Sequence, residues 1–139
     1  MEDPLYQKER DLRNRILLRP IGIPDNAWEM NDSRAWHFVA LDDGRVLGCV
    51  LLVPLEEIGN RAQLIQMAVE TEWQRKGIGD LLVRYLLEFA RNNGIREILI
   101  HARDNTTDFY GKFGFEVYGE TFEEVGVLHR HMRMFLSQY

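Results

Sequence analysis

The stretch Gln74-Arg75-Lys76-Gly77-Ile78-Gly79, running directly into Asp80-Leu81-Leu82-Val83-Arg84-Tyr85-Leu86-Leu87-Glu88-Phe89-Ala90, sets the reading of this chain. Before it, Leu64-Ile65-Gln66-Met67-Ala68-Val69 is apolar and partly β-branched, which predicts a strand. After it, Ile78, Leu81, Leu82, Tyr85, Leu86, Phe89 and Ala90 recur at the spacing of one helical face. Two glycines therefore stand where a strand turns into an amphipathic helix. The first N–H groups of a helix have no internal partners. With the helix dipole they form a site for phosphate or pyrophosphate. Glycine removes the Cβ that would hold such a ligand off the main chain, and Arg75 and Lys76 add positive charge. The alternative is a plain strand–turn–helix whose glycines only let the helix pack closely. Spacing excludes two common nucleotide loops: Asp80-Leu81-Leu82 follows Gly77-Ile78-Gly79, which fits neither Gly-x-x-x-x-Gly-Lys-Ser/Thr nor Gly-x-Gly-x-x-Gly.

The flanking elements build outward from that junction. Asp3-Pro4 reads as a helix start, with Asp as N-cap and Pro at the first helical position. Leu5, Leu12 and Ile16 form its apolar stripe, Lys8, Glu9, Arg10 and Asp11 lie largely off it, and Pro20 ends it. Pro, Gly, Asn, Asp and Ser cluster between Arg19 and Ala35, which predicts a long loop. Loops of that length in compact domains are functional or mobile. This one carries Trp28 and Met30, either as a wall of an acceptor pocket or as a surface flap. Trp36–Leu41 and Val46–Val53, around Asp42-Asp43-Gly44-Arg45, predict a hairpin. Pro54 closes it, Glu56–Arg61 is a polar link, and Gln63–Val69 is the strand before the glycines.

The central helix runs from about Gly77 to Asn93, with Asn93-Gly94 as its stop, and Ile95–Ala102 is the next strand. Strand, helix and strand in succession predict a right-handed crossover with a parallel pair. Asp104-Asn105-Thr106-Thr107-Asp108 starts a short helix that Gly114 stops. Strands at Phe115–Tyr118 and Val127–Leu136, joined by Gly119–Gly126, close the chain. The fold class is α/β with a mixed sheet: an antiparallel N-terminal part and a central βαβ unit.

A chain of 139 residues is one domain by size and long enough to bury a core. Its 45% hydrophobic and 28% charged residues are ordinary for a globular protein. A net charge of −5 leaves no basic footprint for nucleic acid, so none is expected as a partner. No apolar run approaches a membrane span and no signal peptide stands at the start. The lone Cys49, in mid-strand, suits a reducing compartment as a small buried apolar residue. A soluble, cytoplasmic protein without a membrane partner is the expectation.

The six residues from Gln74 match Gln/Arg-x-x-Gly-x-Gly/Ala, which resembles the acetyl-coenzyme A pyrophosphate loop of the GNAT N-acetyltransferases. Phe109-Tyr110-Gly111-Lys112-Phe113-Gly114-Phe115 resembles the second signature of that family, a Phe/Leu-Tyr pair before x-Lys/Arg-x-Gly-Phe. The tail from Tyr118 through Gly119-Glu120-Thr121-Phe122-Glu123-Glu124-Val125-Gly126-Val127-Leu128-His129 to Met132 is similar to the small stand-alone members of the ElaA and YjcF type. The resemblance covers about Trp36 to Leu136, the span on which these motifs rest. Departures are Thr106 and Thr107 where small residues are usual, and Leu128 where the tail pattern has Pro.

The resemblance implies a single-domain GNAT fold over residues 1–139, with a splay between the two central parallel strands. It implies an N-acetyltransferase that moves an acetyl group from acetyl-CoA to a primary amine by direct attack in a ternary complex. The backbone of Met67, Ala68 and Val69 would pair with the pantetheine arm, the Val69 N–H facing the thioester oxygen. Gln74, Arg75, Lys76, Gly77, Ile78, Gly79 and Asp80 would hold the diphosphate. Asn105, Phe109, Tyr110 and Lys112 would complete the cofactor site, although Asn105 reads equally as the N-cap of the short helix.

Tyr110 is the candidate general acid towards the sulfur, since a phenol near pKa 10 suits a thiolate of similar basicity; the alternative is a core aromatic with its hydroxyl satisfied by a neighbour. The strand position that carries Glu in lysine acetyltransferases of this fold matches Gln63, which cannot take a proton. The base is then Glu70 or Glu72 at the strand end, Glu123, His129, or a water held by one of them. His129 and His131 share a strand face, but no third ligand completes a metal site, so no metal is expected. The acceptor is a small-molecule or peptide amine, and a homodimer is compatible with the family. The competing function is a catalytically silent acyl-CoA-binding module, which the missing strand carboxylate favours and Tyr110 opposes.

Overall fold

The computed structural model describes residues 3–55 and 60–137, so residues 56–59 of the expected polar link lie outside the described residues. One mixed sheet contains β1 (Trp36–Asp42), β2 (Arg45–Pro54), β3 (Arg61–Val69), β4 (Glu97–Arg103), β5 (Glu116–Glu124) and β6 (Val127–Phe135). Their order across the sheet is β1-β2-β3-β4-β6-β5. β1, β2 and β3 pair antiparallel, β3 and β4 pair parallel, and β4, β6 and β5 pair antiparallel. The chain crosses from β3 to β4 through α2 (Ile78–Asn92), as the strand–helix–strand order predicts.

β2 is buried from Val46 to Val53 because helices cover both faces of the sheet there. On one face α2 sets Leu82, Val83, Leu86, Leu87 and Ala90 against Val50, Leu52, Leu64, Ile98 and Ile100. On the other, α1 (Pro4–Arg13) packs Leu12, flanked by Leu5 and Ile16, on Val46, Cys49 and Ala68. Alternation of side chains along β2 sends Cys49 and Val50 to opposite layers. Cys49 is fully buried, as expected of a small apolar residue. Asp3 caps α1, its Oδ1 accepting from the Leu5 N–H at 2.8 Å.

Two expectations change. Pro20 does not stop the N-terminal helix: a π turn (Asn14–Leu18) and a 3-10 turn (Arg19–Ile21) carry the helical path past it. Proline at the first positions of the 3-10 turn loses no needed N–H there. The expected link after Tyr118 is instead the rest of β5, which runs to Glu124. Gly119, at φ +68°, lies in a register shift between Tyr118 and Phe122, and the actual turn is Val125-Gly126. Glycine there marks a bulge rather than a loop.

A buried charge network pins the long loop to α1. Glu9 is buried, not on the solvent face as its off-stripe position suggests, and Arg13 and Asp32 are buried beside it. Arg13 reaches the Asp32 carboxylate with both terminal nitrogens, at 3.0 and 2.5 Å, and the Tyr6 hydroxyl donates to it at 2.6 Å. His37 on β1 has Nδ1 2.9 Å from the Glu9 carboxylate and Nε2 2.8 Å from the Asp32 carbonyl. Both partners can only accept, so both ring nitrogens carry protons and His37 is an imidazolium. The partners lie far apart in sequence, which is why helix periodicity alone put Glu9 in solvent.

The Glu9 hydrogen bond is the main cause that raises the His37 pKa above its usual value, against burial, with the Asp32 carbonyl assisting. A raised folded-state value contributes stability that is complete below the unfolded value of about 6.5 and is lost as pH rises through the folded one. Urea midpoints of the wild type are therefore expected to fall as pH rises above the unfolded value and through the raised folded one. His37→Gln should be less stable at pH 6 and show a flatter pH dependence. Parallel profiles for the two proteins would refute an imidazolium at this position.

Candidate active site

β3 and β4 pair only from Arg61 opposite Glu97 to Leu64 opposite Ile100. Beyond that the strands diverge, and the edge of Ile65–Val69 that faces β4 is left without a strand partner. The gap opens into a cleft of about 500 Å³. Its floor is Gln63 to Met67 on β3 and Ile100 to Arg103 on β4. Gln66 makes the bend: its φ is +52°, and its Nε2 donates to the Trp28 carbonyl at 2.9 Å. That bond ties the long loop to the cleft, whose wall includes Leu17, Trp28, Met30 and Asn31. Trp28 and Met30 both line the cleft, and Met30 is at the same time largely exposed, so the segment is a surface flap that also forms part of the cleft wall.

The glycine junction lies at the head of α2. Gly77 is the N-cap residue at φ +91°, with no side-chain cap hydrogen bond. The first helical bond runs from Leu81 N–H to Gly77 carbonyl at 3.0 Å, so the amides of Ile78, Gly79 and Asp80 precede the internal ladder. Among the described residues a Cβ built on Gly77 meets nothing within 4 Å, whereas one on Gly79 would stand 3.2 Å from Phe109 Cζ. Arg75 has φ +63°, and the Lys76 ammonium lies 5.4 Å from the Trp73 ring centroid. The Gln74 amide donates to the Val69 carbonyl at 3.0 Å, linking this turn to the end of β3.

α3 (Thr107–Gly111) docks beside that turn. Lys112 donates to Asp80 at 2.6 Å and stands 4.7 Å from the Phe109 ring centroid, so the second motif is fastened to the first. Asn105 is exposed in a 3-10 turn (Asp104–Thr106) and is not the helix cap; Thr106 occupies that position. Tyr110 lines the cleft. Its ring packs against Phe109 and Phe115, and burial pushes its pKa up to about 12. Among the described residues its hydroxyl has no hydrogen-bond partner, so the alternative of a core tyrosine satisfied by a neighbour is not what is seen.

The candidate bases separate. Glu70 does not reach the cleft: it lies in a different surface depression with Asp11, Arg15 and Arg45. Both its oxygens accept from the Arg15 fork, at 2.9 and 3.0 Å, which holds its carboxyl below the ordinary range. Glu72 pairs with Arg45, and Glu123 is not among the residues that line the cleft. His129 does line it, and is buried. So does Glu124, which sequence reasoning missed because residues 119–126 read as a link; strand alternation up to Glu124 was the available signal. His101 on β4 pairs across the sheet with His131 and also lines the cleft. Among the described residues no group of three or more His, Cys, Asp or Glu side chains could hold a metal ion.

The structure therefore holds an uncapped helix start, an opened parallel pair and a buried tyrosine that lines the cleft. The model of the acetyltransferase (GNAT) domain matches residues 23–136, and the chain belongs to that family. Human N-acetyltransferase 8 is 31% identical over 99 residues, covering 67% of this chain and 44% of that protein. The uncharacterized protein YyaT of Bacillus subtilis is 25% identical over 81 residues, covering 58% and 55%. The chain thus spans about half the length of the curated relatives it matches. An aminoglycoside 6'-N-acetyltransferase complexed with coenzyme A superimposes with a TM-score of 0.80 at 17% identity, over 96% of this chain and 92% of that one. Escherichia coli ElaA gives 0.83 at 16% identity, over 96% and 91%. Among the described residues no helix is long and apolar enough to cross a membrane.

Proposed function

We propose that residues 1–139 form one acyl-coenzyme A N-acyltransferase domain that moves an acetyl group from acetyl-CoA to a primary amine, in a ternary complex without a covalent enzyme intermediate. The observation that carries this reading is the end of β3–β4 pairing at Leu64 and Ile100, with the uncapped head of α2 close by. The fit to acetyl-CoA rests on this chain's own groups. The amides of Ile78, Gly79 and Asp80, with Arg75 and Lys76, suit a diphosphate. The open edge at Met67–Val69 suits an amide-bearing arm, as an added strand would. The thioester supplies an activated acyl carbon, and Tyr110 supplies a hydroxyl donor towards the departing sulfur.

The acceptor in this proposal is a small-molecule or peptide amine, in a cytoplasmic setting consistent with the buried, unpaired Cys49; a homodimer is compatible with it. A second reading, a silent acyl-CoA-binding module, is favoured by Gln63 in the cleft, an amide unable to take a proton. Thiol release from acetyl-CoA in the presence of an amine panel, run beside a calorimetric acetyl-CoA titration, decides between them. Binding with amine-dependent thiol release is expected. Binding without release on any amine would give the silent module.

A further inference from the structure

We infer that Glu124 and His129 together form a receptor for the acceptor's ammonium group, with His129 Nε2 as the proton acceptor; this rests on the transferase reading above. His129 Nδ1 lies 2.8 Å from the Val127 carbonyl. A carbonyl only accepts, so Nδ1 carries the proton and the lone pair of the neutral ring is on Nε2. That nitrogen lies 4.0 Å from Glu124 Oε1. The other Glu124 oxygen accepts from His101 Nδ1 at 3.0 Å, which fixes the carboxylate. Two acceptors 4.0 Å apart on the wall of a cleft await a donor. A nitrogen about 2.9 Å from both would see them about 90° apart, close to the directions of two N–H bonds on a tetrahedral ammonium.

The remaining groups around His129 do not fill that role. Besides Glu124 on β5, the charged or titratable ones are His101 and Arg103 on β4, His131 on β6 itself, and Tyr110, which lines the same cleft. Phe122 lies against the His129 ring, 5.7 Å between centroids, and holds its plane. Among the described residues that line the cleft Glu124 is the only carboxylate, so one ammonium is recognised rather than a polycation. Trp28, Met30 and Leu17 offer apolar surface to the carbon stem behind it. The acceptor class is a primary amine on an apolar stem.

The proton balance closes. The bound R–NH₃⁺ gives one proton to His129 Nε2, forming an imidazolium that Glu124 stabilises. The freed lone pair forms the C–N bond to the acyl carbon, and the C–S bond breaks with its electrons on sulfur. The proton lost from the new amide nitrogen makes good the one that sulfur takes by way of Tyr110. His129 returns its proton to solvent. Glu124 is a binding and positioning residue; His129 is the catalytic one.

Phenylethylamine hydrochloride is the probe. In the first experiment it is titrated into the chain without acetyl-CoA while the ¹⁵N signals of the His129 ring are followed. Saturable shifts are expected, weakened about tenfold or more in Glu124→Gln. In the second, acetylation of phenylethylamine is measured from pH 6 to 9. Glu124→Gln is expected to raise the amine KM about tenfold with a smaller fall in kcat and an unchanged KM for acetyl-CoA. His129→Gln should lower kcat at least about tenfold and move the acid limb of the pH profile. Spermidine should be acetylated with a lower kcat/KM than phenylethylamine. The inference is overturned if Glu124→Gln leaves both amine binding and amine KM unchanged, if the acid limb survives His129→Gln, or if spermidine is preferred. A wild type that binds acetyl-CoA but neither binds nor acetylates the amine overturns the receptor alone. One that binds the amine but not acetyl-CoA overturns the transferase reading and leaves the receptor geometry standing.

Discussion

Tyr110→Phe is expected to lower kcat by about 10²-fold to 10³-fold, the size of one lost donor to developing charge in a water-poor site, with acetyl-CoA affinity nearly unchanged. The ring of Tyr110 is core: it is 7% exposed and packs on Phe109 and Phe115. Phenylalanine preserves that packing and deletes only the hydroxyl, for which no partner exists among the described residues. Loss of the hydroxyl should therefore cost no folding stability. Burial pushes the phenol to about 12, which changes its part in the reaction. Against an ordinary thiol near 8.5, outright proton transfer to the free thiolate is uphill by roughly 4–5 kcal/mol at about 1.4 kcal/mol per unit.

In the proposed reaction Tyr110 would therefore act first as a hydrogen-bond donor that stabilises the sulfur as the bond breaks. Proton delivery is completed only as the amide nitrogen sheds its own proton. A phenol matched to the thiolate, as the unperturbed side chain suggests, would have allowed simple transfer; burial removes that option. Two measurements check the argument: single-turnover thiol release, and calorimetric affinity for acetyl-CoA. An unchanged turnover in Tyr110→Phe would remove this residue from the chemistry, and an unfolded variant would show that its hydroxyl has a structural partner after all.

The order of elements was legible because the chain punctuates itself. Gly77, Asn93-Gly94 and Gly114 stand at real boundaries, but the predicted stripe is only partly the face that α2 buries. Leu82, Leu86 and Ala90 are buried together with Val83 and Leu87, whereas Leu81 and Tyr85 are exposed, because the sheet covers a face rotated from the one the spacing picks out. The splay was implied by the family resemblance rather than by any local signal; in the structure it begins after Leu64, where Gln66 takes a positive φ. What failed did so for identifiable reasons. Glycine at 119 signals a turn or a bulge with the same letter, so β5 looked short and Glu124 was hidden in a link. Glu70 sits at the end of the right strand, but the chain bends there, and Arg15, far away in sequence, claims both its oxygens. The off-stripe position of Glu9 reads as solvent because its partner His37 comes from β1, and Asp32, which shares Arg13 with it, comes from the loop. Periodicity reports which face of an element is apolar; it does not report a charge that another segment has come to neutralise.

Gly77→Val is expected to reduce acetyl-CoA affinity by on the order of a hundredfold or more, equivalent to two lost hydrogen bonds to a charged group at about 1.5–3 kcal/mol each. Backbone strain and lost ligand space both contribute, and they can be separated. At φ +91° a β-branched residue is a conformational outlier, so the variant shifts the turn at a cost of about 1–2 kcal/mol in stability. The space beyond the Cβ position is otherwise open, with nothing among the described residues within 4 Å, and a side chain there would stand where the proposed diphosphate approaches the α2 amides. Gly77→Asn isolates the second part, because asparagine tolerates the left-handed region. It should melt close to the wild type and still bind acetyl-CoA more weakly.

Gly79→Val is a poorer test than its place in the motif suggests. Its Cβ would stand 3.2 Å from Phe109, so it would displace α3 and Tyr110 along with any ligand. Calorimetric titration of acetyl-CoA into wild type, Gly77→Val and Gly77→Asn, each with a melting curve, reads both effects. If Gly77→Val bound acetyl-CoA as tightly as the wild type, the head of α2 would not be the diphosphate cradle. The open edge of β3 would then have to hold the cofactor without it.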